Sequence, residues 1–177
     1  GVLFVSRAGF DLAALRIAVQ LKGDRVGKTD ETRVRALEAR DEARWRDLFD
    51  GYIRFYEAEV PDEVITLTFE RLLAGEDGMA GLVAVDSEDT PIGLVNLVFH
   101  RSTWSPTWYC YLEDLYADPA VRGTGVGRAL IEATYALADS RGASRTYWAT
   151  QQKNATARRL YDRIGELTDF LQYRRGE

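Results

Sequence analysis

The residues that most often build metal centres and disulfides are scarce in this chain of 177 residues. It has one histidine, His100, and one cysteine, Cys110. A single cysteine excludes an intramolecular disulfide, and the pair supplies too few ligands for a His/Cys metal site. We therefore expect no bound metal.

Excess positive charge and long hydrophobic runs are also absent. Lys and Arg number 23 against 28 Asp and Glu, a formal net charge of -5. That balance argues against a nucleic-acid surface, which usually needs a basic face, and it favours cationic small molecules. No apolar run reaches the ~18 residues that a membrane span requires. Residues 1–10 lack the basic start and cleavage site of a signal peptide. We expect no nucleic-acid or membrane partner and a cytoplasmic location.

The composition is that of one globular domain, with 46% hydrophobic and 29% charged residues. Breaks rich in glycine and aspartate at residues 23–24 and 27–30 set off an N-terminal arm, residues 1–30, from a domain at residues 31–177. Two interpretations of the arm stay open. It is either an extension that docks on the domain or a remnant of upstream or cloned sequence.

Hydrophobic periodicity in residues 31–177 predicts the order β-α-α-β-β-β-α-β-α-β, a mixed α/β sheet with helices packed on it. We expect helices that begin after capping residues Asp41, Asp62 and Asn154. A loop with Trp104, Pro106 and Trp108 is expected before the longest strand. The strands are expected at residues 34–37, 81–85, 92–99, 109–116, 145–150 and 170–173.

A glycine-rich turn lies between that longest strand and a strongly amphipathic helix. Gly123, Gly125 and Gly127 alternate with other residues, and glycine lets the backbone approach a ligand and adopt positive φ. Free N–H groups and the dipole at a helix start favour a phosphate, and Arg122 and Arg128 add cationic donors. The turn therefore predicts an anion site, although close packing of the helix on the sheet would also explain the glycines.

The apolar face predicted for this helix consists of Val126, Leu130, Ile131, Thr134, Leu137 and Ala138. Two other glycine motifs fit the turn poorly. A P-loop needs Gly-Lys-Ser/Thr after four intervening residues, and no lysine stands here. A dinucleotide-binding turn needs G-x-G-x-x-G in the first βα unit and an acidic residue about 20 positions later. Here the spacing is G-x-G-x-G, the unit comes late, and the next strand ends in Ala149-Thr150.

Two segments together resemble the coenzyme-binding signature of the GNAT (Gcn5-related) N-acetyltransferase superfamily. Arg122, Gly125 and Gly127 match its Arg/Gln-x-x-Gly-x-Gly/Ala pattern after a strand, and residues 154–161 resemble its Asn-x-x-Ala-x-x-Leu-Tyr helix. The resemblance covers roughly residues 32–175 and leaves the arm outside. The run Tyr-Leu-Glu-Asp at residues 111–114 is most similar to the diamine (spermidine/spermine) acetyltransferase branch.

The resemblance implies a mixed, mostly antiparallel central sheet of six to seven strands flanked by helices, with acetyl-CoA as co-substrate. In the family, a bulge splays the long strand from the next, and the pantetheine arm lies in the gap. This implies main-chain contacts from Leu115 and Ala117, with the Tyr116 side chain on the other face and an N–H near Leu115 that polarises the thioester. Further coenzyme contacts are implied for Arg122, Gly123, Thr124, Gly125, Val126, Gly127, Arg128, Asn154 and Tyr161.

The same resemblance implies an acid and a base. Tyr161 matches the tyrosine that protonates the departing thiolate, and Glu113 matches the general base of the diamine branch. Because Glu113 and Asp114 are adjacent on a strand, we expect them to point to opposite faces, and we assign Asp114 to the substrate or to a structural role. The simpler alternatives are a core tyrosine at 161, a carboxylate paired with an arginine, and an ordinary helix cap at Asn154.

Family acceptor sites are built by the first helix pair and the loop after the third strand. Those regions supply Tyr56, Glu57 and Trp104, to which we add Asp114. Carboxylates with aromatic faces suit a cation. We expect direct transfer of an acetyl group from acetyl-CoA to the primary amine of a small cationic molecule. The final strand at residues 170–173 makes a homodimer a further expectation.

Two alternative functions stay open at this stage. A protein or peptide N-acetyltransferase would present an open groove instead of a closed aromatic pocket. A non-catalytic acyl-CoA-binding regulatory domain would bind the coenzyme without turnover, and the presence of Glu113 and Tyr161 argues against it.

Overall fold

A computed structural model describes residues 32–175, so the predicted arm at residues 1–30 lies outside the described residues. One sheet has the strand order β1-β2-β3-β4-β5. The first four strands pair antiparallel and β5 runs parallel to β4. The strands are β1 Arg33–Ala36, β2 Met79–Val85, β3 Pro91–Ser102, β4 Ser105–Ala117 and β5 Ala143–Trp148. The helices are α1 Glu42–Phe55, α2 Asp62–Ala74, α3 Val126–Ser140 and α4 Ala155–Ile164.

Helices cover both faces of this sheet, because side chains alternate between the two faces of each strand. On the face covered by α3, a buried cluster joins Leu82, Val95 and Leu112 to that helix. On the face covered by α1 and α2, a second cluster includes Val83 and Leu94. The predicted apolar face of α3 is confirmed, since all six of its residues are buried.

The connection from β3 to β4 is a tight hairpin and not the expected loop. Ser102 pairs with Ser105 across it, so the turn is residues 103–104. Pro106 and Trp108 lie in β4. Pairing with β3 carries the strand through positions that look like loop in the sequence, and Arg101 of β3 stacks 3.9 Å from the Trp108 ring centroid.

The sheet has five strands in residues 32–175, and the estimate of six to seven strands is wrong for this part of the chain. The expected strand at residues 170–173 is absent, and residues 166–175 have no regular secondary structure. Phe170 is 87% exposed and Tyr173 is 90% exposed. A strand forms only against a partner that takes its backbone hydrogen bonds, and this segment has no such partner within the described residues.

Two of the three predicted helix caps differ in their bonding. Asp41 precedes α1, but its carboxylate accepts from the Glu38 N–H at 2.8 Å and from Arg35 at 2.7 and 2.9 Å, not from a helix amide. Asp62 is the first residue of α2 and pairs with Arg46 at 2.9 Å. The cap at Asn154 is confirmed, because its Oδ1 accepts from the N–H of Ala157 at 3.3 Å.

Among the helices of residues 32–175, none combines the length and the apolar character that a membrane crossing needs.

Candidate active site

Strands β4 and β5 separate part of the way along β4. Their pairing runs from Trp108 opposite Ala143 to Leu112 opposite Trp148. Beyond that point β4 continues to Ala117 and stays paired with β3. On the side facing away from β3, residues 113–117 have no strand beside them within the described part of the chain. Their backbone groups on that edge are open to an extended ligand that carries amides.

The side chains along this open edge alternate as predicted. Leu115 and Ala117 pack in the cluster under α3. Tyr116 packs on the opposite face against α1. A Cβ added at Gly51 of α1 would lie 2.7 Å from Tyr116 Oη, so the ring needs this glycine. Only the main chain of Tyr116 is therefore left to face the open edge.

Glu113 is the extra residue of a β-bulge in β4. Across the ladder with β3, Asn96 pairs with Asp114 and Leu97 pairs with Leu112. Glu113 lies between these two pairs without a partner of its own. A bulge bends its strand and redirects the side chains next to it, and this one lies where β4 and β5 separate.

The bulge also breaks the alternation of side chains. Leu112 and Leu115 both pack under α3, although two residues separate them. The regular alternation on which the expectation of opposite faces for Glu113 and Asp114 rests is therefore interrupted at this bulge. Both carboxylates act electrostatically on the same two side chains, Tyr52 and Tyr111.

Asp114 ends a hydrogen-bonded chain that begins in the core. Trp45 Nε1 donates to Asn96 Oδ1 at 3.3 Å, and Asn96 Nδ2 donates to Asp114 Oδ2 at 3.0 Å. Burial raises the pKa of Asp114 above its usual range, and its bonds to Asn96 and Tyr52 partly oppose that rise. Asp114 is thus held rigidly beneath Tyr52.

The Glu113 carboxyl is exposed to the gap but is partly desolvated. Burial raises its pKa above the usual range, and the charge of Asp114 raises it further. A carboxylate with a raised pKa is a stronger base toward an ammonium proton, as general-base chemistry requires. The side chain lies at an edge that a substrate can reach.

Four tyrosines surround this carboxylate pair, and we call them the tyrosine cluster: Tyr52, Tyr56, Tyr111 and Tyr147. Ring centroids are 4.9 Å apart for Tyr52 and Tyr56 and 4.8 Å apart for Tyr111 and Tyr147. Glu113 acts electrostatically on three of the four. Sequence reasoning placed only Tyr56 at the site. Tyr111 and Tyr147 are directly paired across β4 and β5, a relation that needs the strand register and cannot be read from spacing.

Tyr161 of α4 lies across the gap from the cluster. Its ring meets Trp148 edge-on at 5.5 Å, and the end of α4 is fixed by Tyr135 Oη, which donates to the Ile164 carbonyl at 2.8 Å. Burial raises the pKa of Tyr161 to about 12, and Tyr56 contributes to the rise. The hydroxyl therefore carries its proton at neutral pH, as a general acid must.

The glycine turn presents free backbone donors. Gly123 has φ 83° and Gly125 has φ 101°, values that favour glycine. The first bond of α3 runs from the Ala129 N–H to the Gly125 carbonyl at 2.9 Å, so the amides of residues 126–128 precede it. With a glycine at the N-cap, no side chain takes these donors.

The side chains that flank the turn differ in their partners. Arg122 lies 5.5 Å from the Tyr116 ring centroid, and Arg128 pairs with Glu132 at 2.9 Å. Thr124 Oγ1 donates to the Val121 carbonyl at 2.7 Å and tightens the turn. The main chain is thus the part of the turn best placed to hold an anion.

An ion pair anchors the start of the turn to α1. Arg44 pairs with Asp118 and donates to the Pro91 carbonyl at 3.0 Å. Asp118 Oδ1 accepts from the Ala120 N–H at 2.9 Å, and the Asp118 N–H donates to the Ile92 carbonyl at 2.9 Å. The Ala120 N–H and the Arg44 guanidinium hold the pKa of the Asp118 carboxyl below its usual range. We call Arg44 and Asp118 the turn anchor.

A cleft of about 380 Å³ opens between the end of α1 and the connection from β5 to α4. Tyr56 and Glu57 line it, and their role in substrate binding stays a prediction. Trp104 does not lie there. It is 88% exposed at the tip of the β3–β4 hairpin, nine residues before Glu113, and the separation along β4 is about 30 Å at roughly 3.3 Å per residue.

The single cysteine, Cys110, and the single histidine, His100, lie in surroundings that indicate structural roles. Cys110 is buried, and burial raises the pKa of its thiol to about 12, which makes it a poor nucleophile. His100 Nε2 lies 2.8 Å from Tyr147 Oη at the edge of the cluster. Within residues 32–175, no three His, Cys, Asp or Glu side chains stand close enough together to hold a metal ion.

Comparison with known proteins identifies this arrangement. Residues 45–165 match the model of the acetyltransferase (GNAT) family. The chain is 35% identical over 147 residues to the D-amino-acid N-acetyltransferase HPA3 of Saccharomyces cerevisiae, covering 82% of this chain and 91% of that protein. It is 34% identical over 84 residues to the thialysine N-epsilon-acetyltransferase of Caenorhabditis elegans, covering 48% of this chain and 51% of that protein.

A solved structure shares the fold. The aminoglycoside N-acetyltransferase AAC(6')-Iy in complex with CoA superposes with a TM-score of 0.71 at 18% identity. The match covers 86% of this chain and 99% of that one. The mixed sheet with helices on both faces is therefore an acetyltransferase fold.

Proposed function

The chain belongs to the acetyltransferase (GNAT) family, and on that premise we propose that it transfers the acetyl group of acetyl-CoA directly to the primary amine of a small cationic molecule. One observation carries the proposal. Glu113 lies at the bulge where β4 and β5 separate, the open edge of β4 leads toward the glycine turn with its uncapped amides, and Tyr161 contacts Trp148 at the end of β5.

The main chain offers hydrogen bonds to two parts of the coenzyme, the pyrophosphate and the pantetheine arm. In our proposal, the pyrophosphate accepts from the amides of residues 126–128 and from Arg122, because free helix-start donors favour anions. The pantetheine amides then pair with the main chain of residues 115–117. This places the thioester beside the bulge at Glu113.

The proposed reaction has one transfer step. Glu113 takes a proton from the acceptor's ammonium, directly or through water. The neutral nitrogen bonds to the acetyl carbon while the carbon–sulfur bond breaks, and the sulfur leaves with its electron pair. Tyr161 gives the sulfur a proton and regains one from the acetylated nitrogen, which must lose its second proton to become an amide. The products are the acetylamide, the CoA thiol and the proton held by Glu113, which passes to solvent. A main-chain N–H near Leu115 polarises the carbonyl during attack.

The acceptor site in this proposal is the cleft beside Tyr56 and Glu57, with Asp114 beneath. Carboxylates and tyrosine faces attract an ammonium group. The relatives with about one third identity are named for acetylation of D-amino acids and thialysine, which are small molecules. Their names support a small acceptor over a protein.

An acceptor panel tests the proposal. Release of the CoA thiol is followed with polyamines, amino acids and lysine analogues, and in parallel with basic peptides, and products are identified by mass. We expect thiol release that depends on small primary amines. Turnover confined to peptides, or confined to neutral or anionic acceptors, would contradict it.

A further inference from the structure

The cleft carries opposite charges on its two walls. Glu57, which follows α1, belongs to one wall, and Lys153, in the connection from β5 to α4, belongs to the other. Glu57 holds a left-handed backbone, with φ 54°, which turns the chain at the rim. A site for a purely cationic ligand has no use for a lysine at this position.

Lys153 is unusual among the cations of the described residues. It is the only lysine in residues 32–175, where every other basic side chain except His100 is an arginine. Its Nζ has no hydrogen-bond or ion-pair partner within residues 32–175. An ammonium group without a partner at the rim of a cleft is available to an anionic ligand.

The turn that carries Lys153 is ordered by its own backbone. The Asn154 N–H donates to the Gln151 carbonyl at 2.9 Å, and the Ala155 N–H donates to the Lys153 carbonyl at 2.8 Å. Asn154 Oδ1 is already engaged as the cap of α4. The lysine is therefore the cation of this wall, and its Cα is held in place.

The acidic groups lie toward the other wall and the gap. Tyr56 lines the cleft, and its ring centroid is 4.9 Å from that of Tyr52. Tyr52 Oη in turn donates to the Glu113 carbonyl at 3.5 Å. The cleft thus leads from the cation at its rim to the carboxylates and the hydroxyl that we assign to chemistry.

We propose that the acceptor carries a carboxylate as well as its amine, as an amino acid does, and that Lys153 binds this carboxylate. The inference rests on the proposed function. The ammonium of the acceptor faces Glu113, and its carboxylate lies at the rim. Specificity then comes from two charges of opposite sign instead of from general attraction of cations.

Matched acceptor pairs that differ only in the carboxylate test this inference: lysine with cadaverine and ornithine with putrescine, with each amino acid supplied in both enantiomers. Wild type, Lys153→Met, Lys153→Arg and Arg159→Met are compared. Arg159 is an exposed cation on α4 and controls for a general change of charge. KM for acetyl-CoA and the melting temperature are measured for each variant.

We expect wild type to favour at least one amino acid over its decarboxylated partner. Lys153→Met should reduce that preference about tenfold, because a hydrogen bond to a charged group is typically worth that much or more. Lys153→Arg should retain it, Arg159→Met should leave it unchanged, and KM for acetyl-CoA should stay the same in all variants.

Three results would overturn the inference while leaving the proposed function standing. They are a wild-type preference for the decarboxylated amines, an equal loss for both members of every pair in Lys153→Met, and a rise in KM for acetyl-CoA in that variant. The last would assign Lys153 to the coenzyme. Failure of every amine in the panel to be acetylated would instead reject the proposed function, and the inference with it.

Discussion

Glu113 lies at the gap because it is itself the extra residue of the bulge in β4. The bulge leaves it unpaired between two regular pairs, and burial together with the charge of Asp114 raises the pKa of its carboxyl. Tyr161 is protonated at neutral pH, as an ordinary tyrosine is, and burial raises its pKa further, to about 12. Amine acetylation needs a base for the ammonium proton and a protonated acid for the departing sulfur.

Removal of either proton-transfer group should slow the reaction. We expect Glu113→Gln and Tyr161→Phe each to lower kcat/KM about 100-fold or more, the usual contribution of one proton transfer. Steady-state kinetics measures the effect. Glu88→Gln and Tyr173→Phe, at exposed positions away from the gap, are the matched controls. If both site variants stay within a few-fold of wild type, the two assignments fail.

The charge of Asp114 should set the position of the acidic limb in the pH profile of kcat/KM, because it raises the pKa of Glu113. Asp114→Asn should therefore lower that pKa and extend activity to lower pH. Asn can still accept the hydrogen bond from Asn96. The measurement is kcat/KM against pH for wild type, Asp114→Asn and the exposed control Asp169→Asn. An acidic limb that stays in place, or moves to higher pH, would contradict the account.

At the scale of the elements, the start of α3 and the end of β4 form one unit. The glycine turn supplies the donors, and the turn anchor ties that turn to α1 and to β3. Gly125 and Gly142 bracket α3, both have positive φ, and an added Cβ at either would meet nothing within 4 Å. The two glycines therefore impose similar backbone demands, but only Gly125 lies at the anion site.

Alanine substitutions at Gly125 and Gly142 should distinguish an effect on stability alone from an effect on coenzyme binding. Both Gly125→Ala and Gly142→Ala should cost about 1–2 kcal/mol in the free energy of unfolding, because L-residues disfavour this backbone conformation. Only Gly125→Ala should also raise KM for acetyl-CoA, at least about tenfold if one hydrogen bond to the pyrophosphate is lost. Denaturant melts and kinetics measure the two effects. Equal KM values for the two variants would show that the turn only packs the helix.

Substitutions in the turn anchor should weaken the binding of acetyl-CoA more than they slow the transfer step. Asp118 carries a lowered pKa, so its charge stabilises the fold above its unfolded pKa, and that stability is lost as the pH falls through the lowered folded value. We expect Asp118→Asn and Arg44→Gln to raise KM for acetyl-CoA several-fold with little change in kcat. Kinetics with saturating acceptor measures this, with Arg46→Gln on the same helix as the control. A fall in kcat at constant KM would place the anchor in another role.

The sequence predicted the elements whose signals are local. The six buried residues of α3, the cap at Asn154 and the position of the glycine turn follow from periodicity and from the conformational range of glycine. The resemblance implied a bulge in the long strand, but its position at Glu113 could not be predicted, because an inserted residue leaves no mark in a pattern of alternating side chains. Tyr52 and Tyr147 were missed because their proximity depends on pairing between distant segments.

At the scale of the whole molecule, apolar side chains are concentrated in the segment after α4. Four large hydrophobic residues there are 76% to 90% exposed: Leu167, Phe170, Leu171 and Tyr173. Such a concentration typically marks an interaction surface. The homodimer expected from the sequence stays a prediction, as does the cytoplasmic location, and this segment is the proposed contact.

A dimer built on this segment should respond to substitutions within it. We expect wild type to sediment as a dimer at micromolar concentration and Phe170→Ser with Leu171→Ser to shift it toward monomer, because burial of these side chains supplies the driving force. Sedimentation velocity measures the change, with Asp169→Asn as the control. A wild-type monomer at every concentration tested would reject the dimer.

The central claim is direct acetyl transfer in the gap between β4 and β5. Initial velocities of CoA thiol release, with acetyl-CoA and a small primary amine both varied, test it most directly. Direct transfer should give release that depends on the amine and reciprocal plots that intersect, because both substrates must be bound before transfer. Parallel plots, which indicate an acetylated enzyme intermediate, or release that ignores the amine would contradict it.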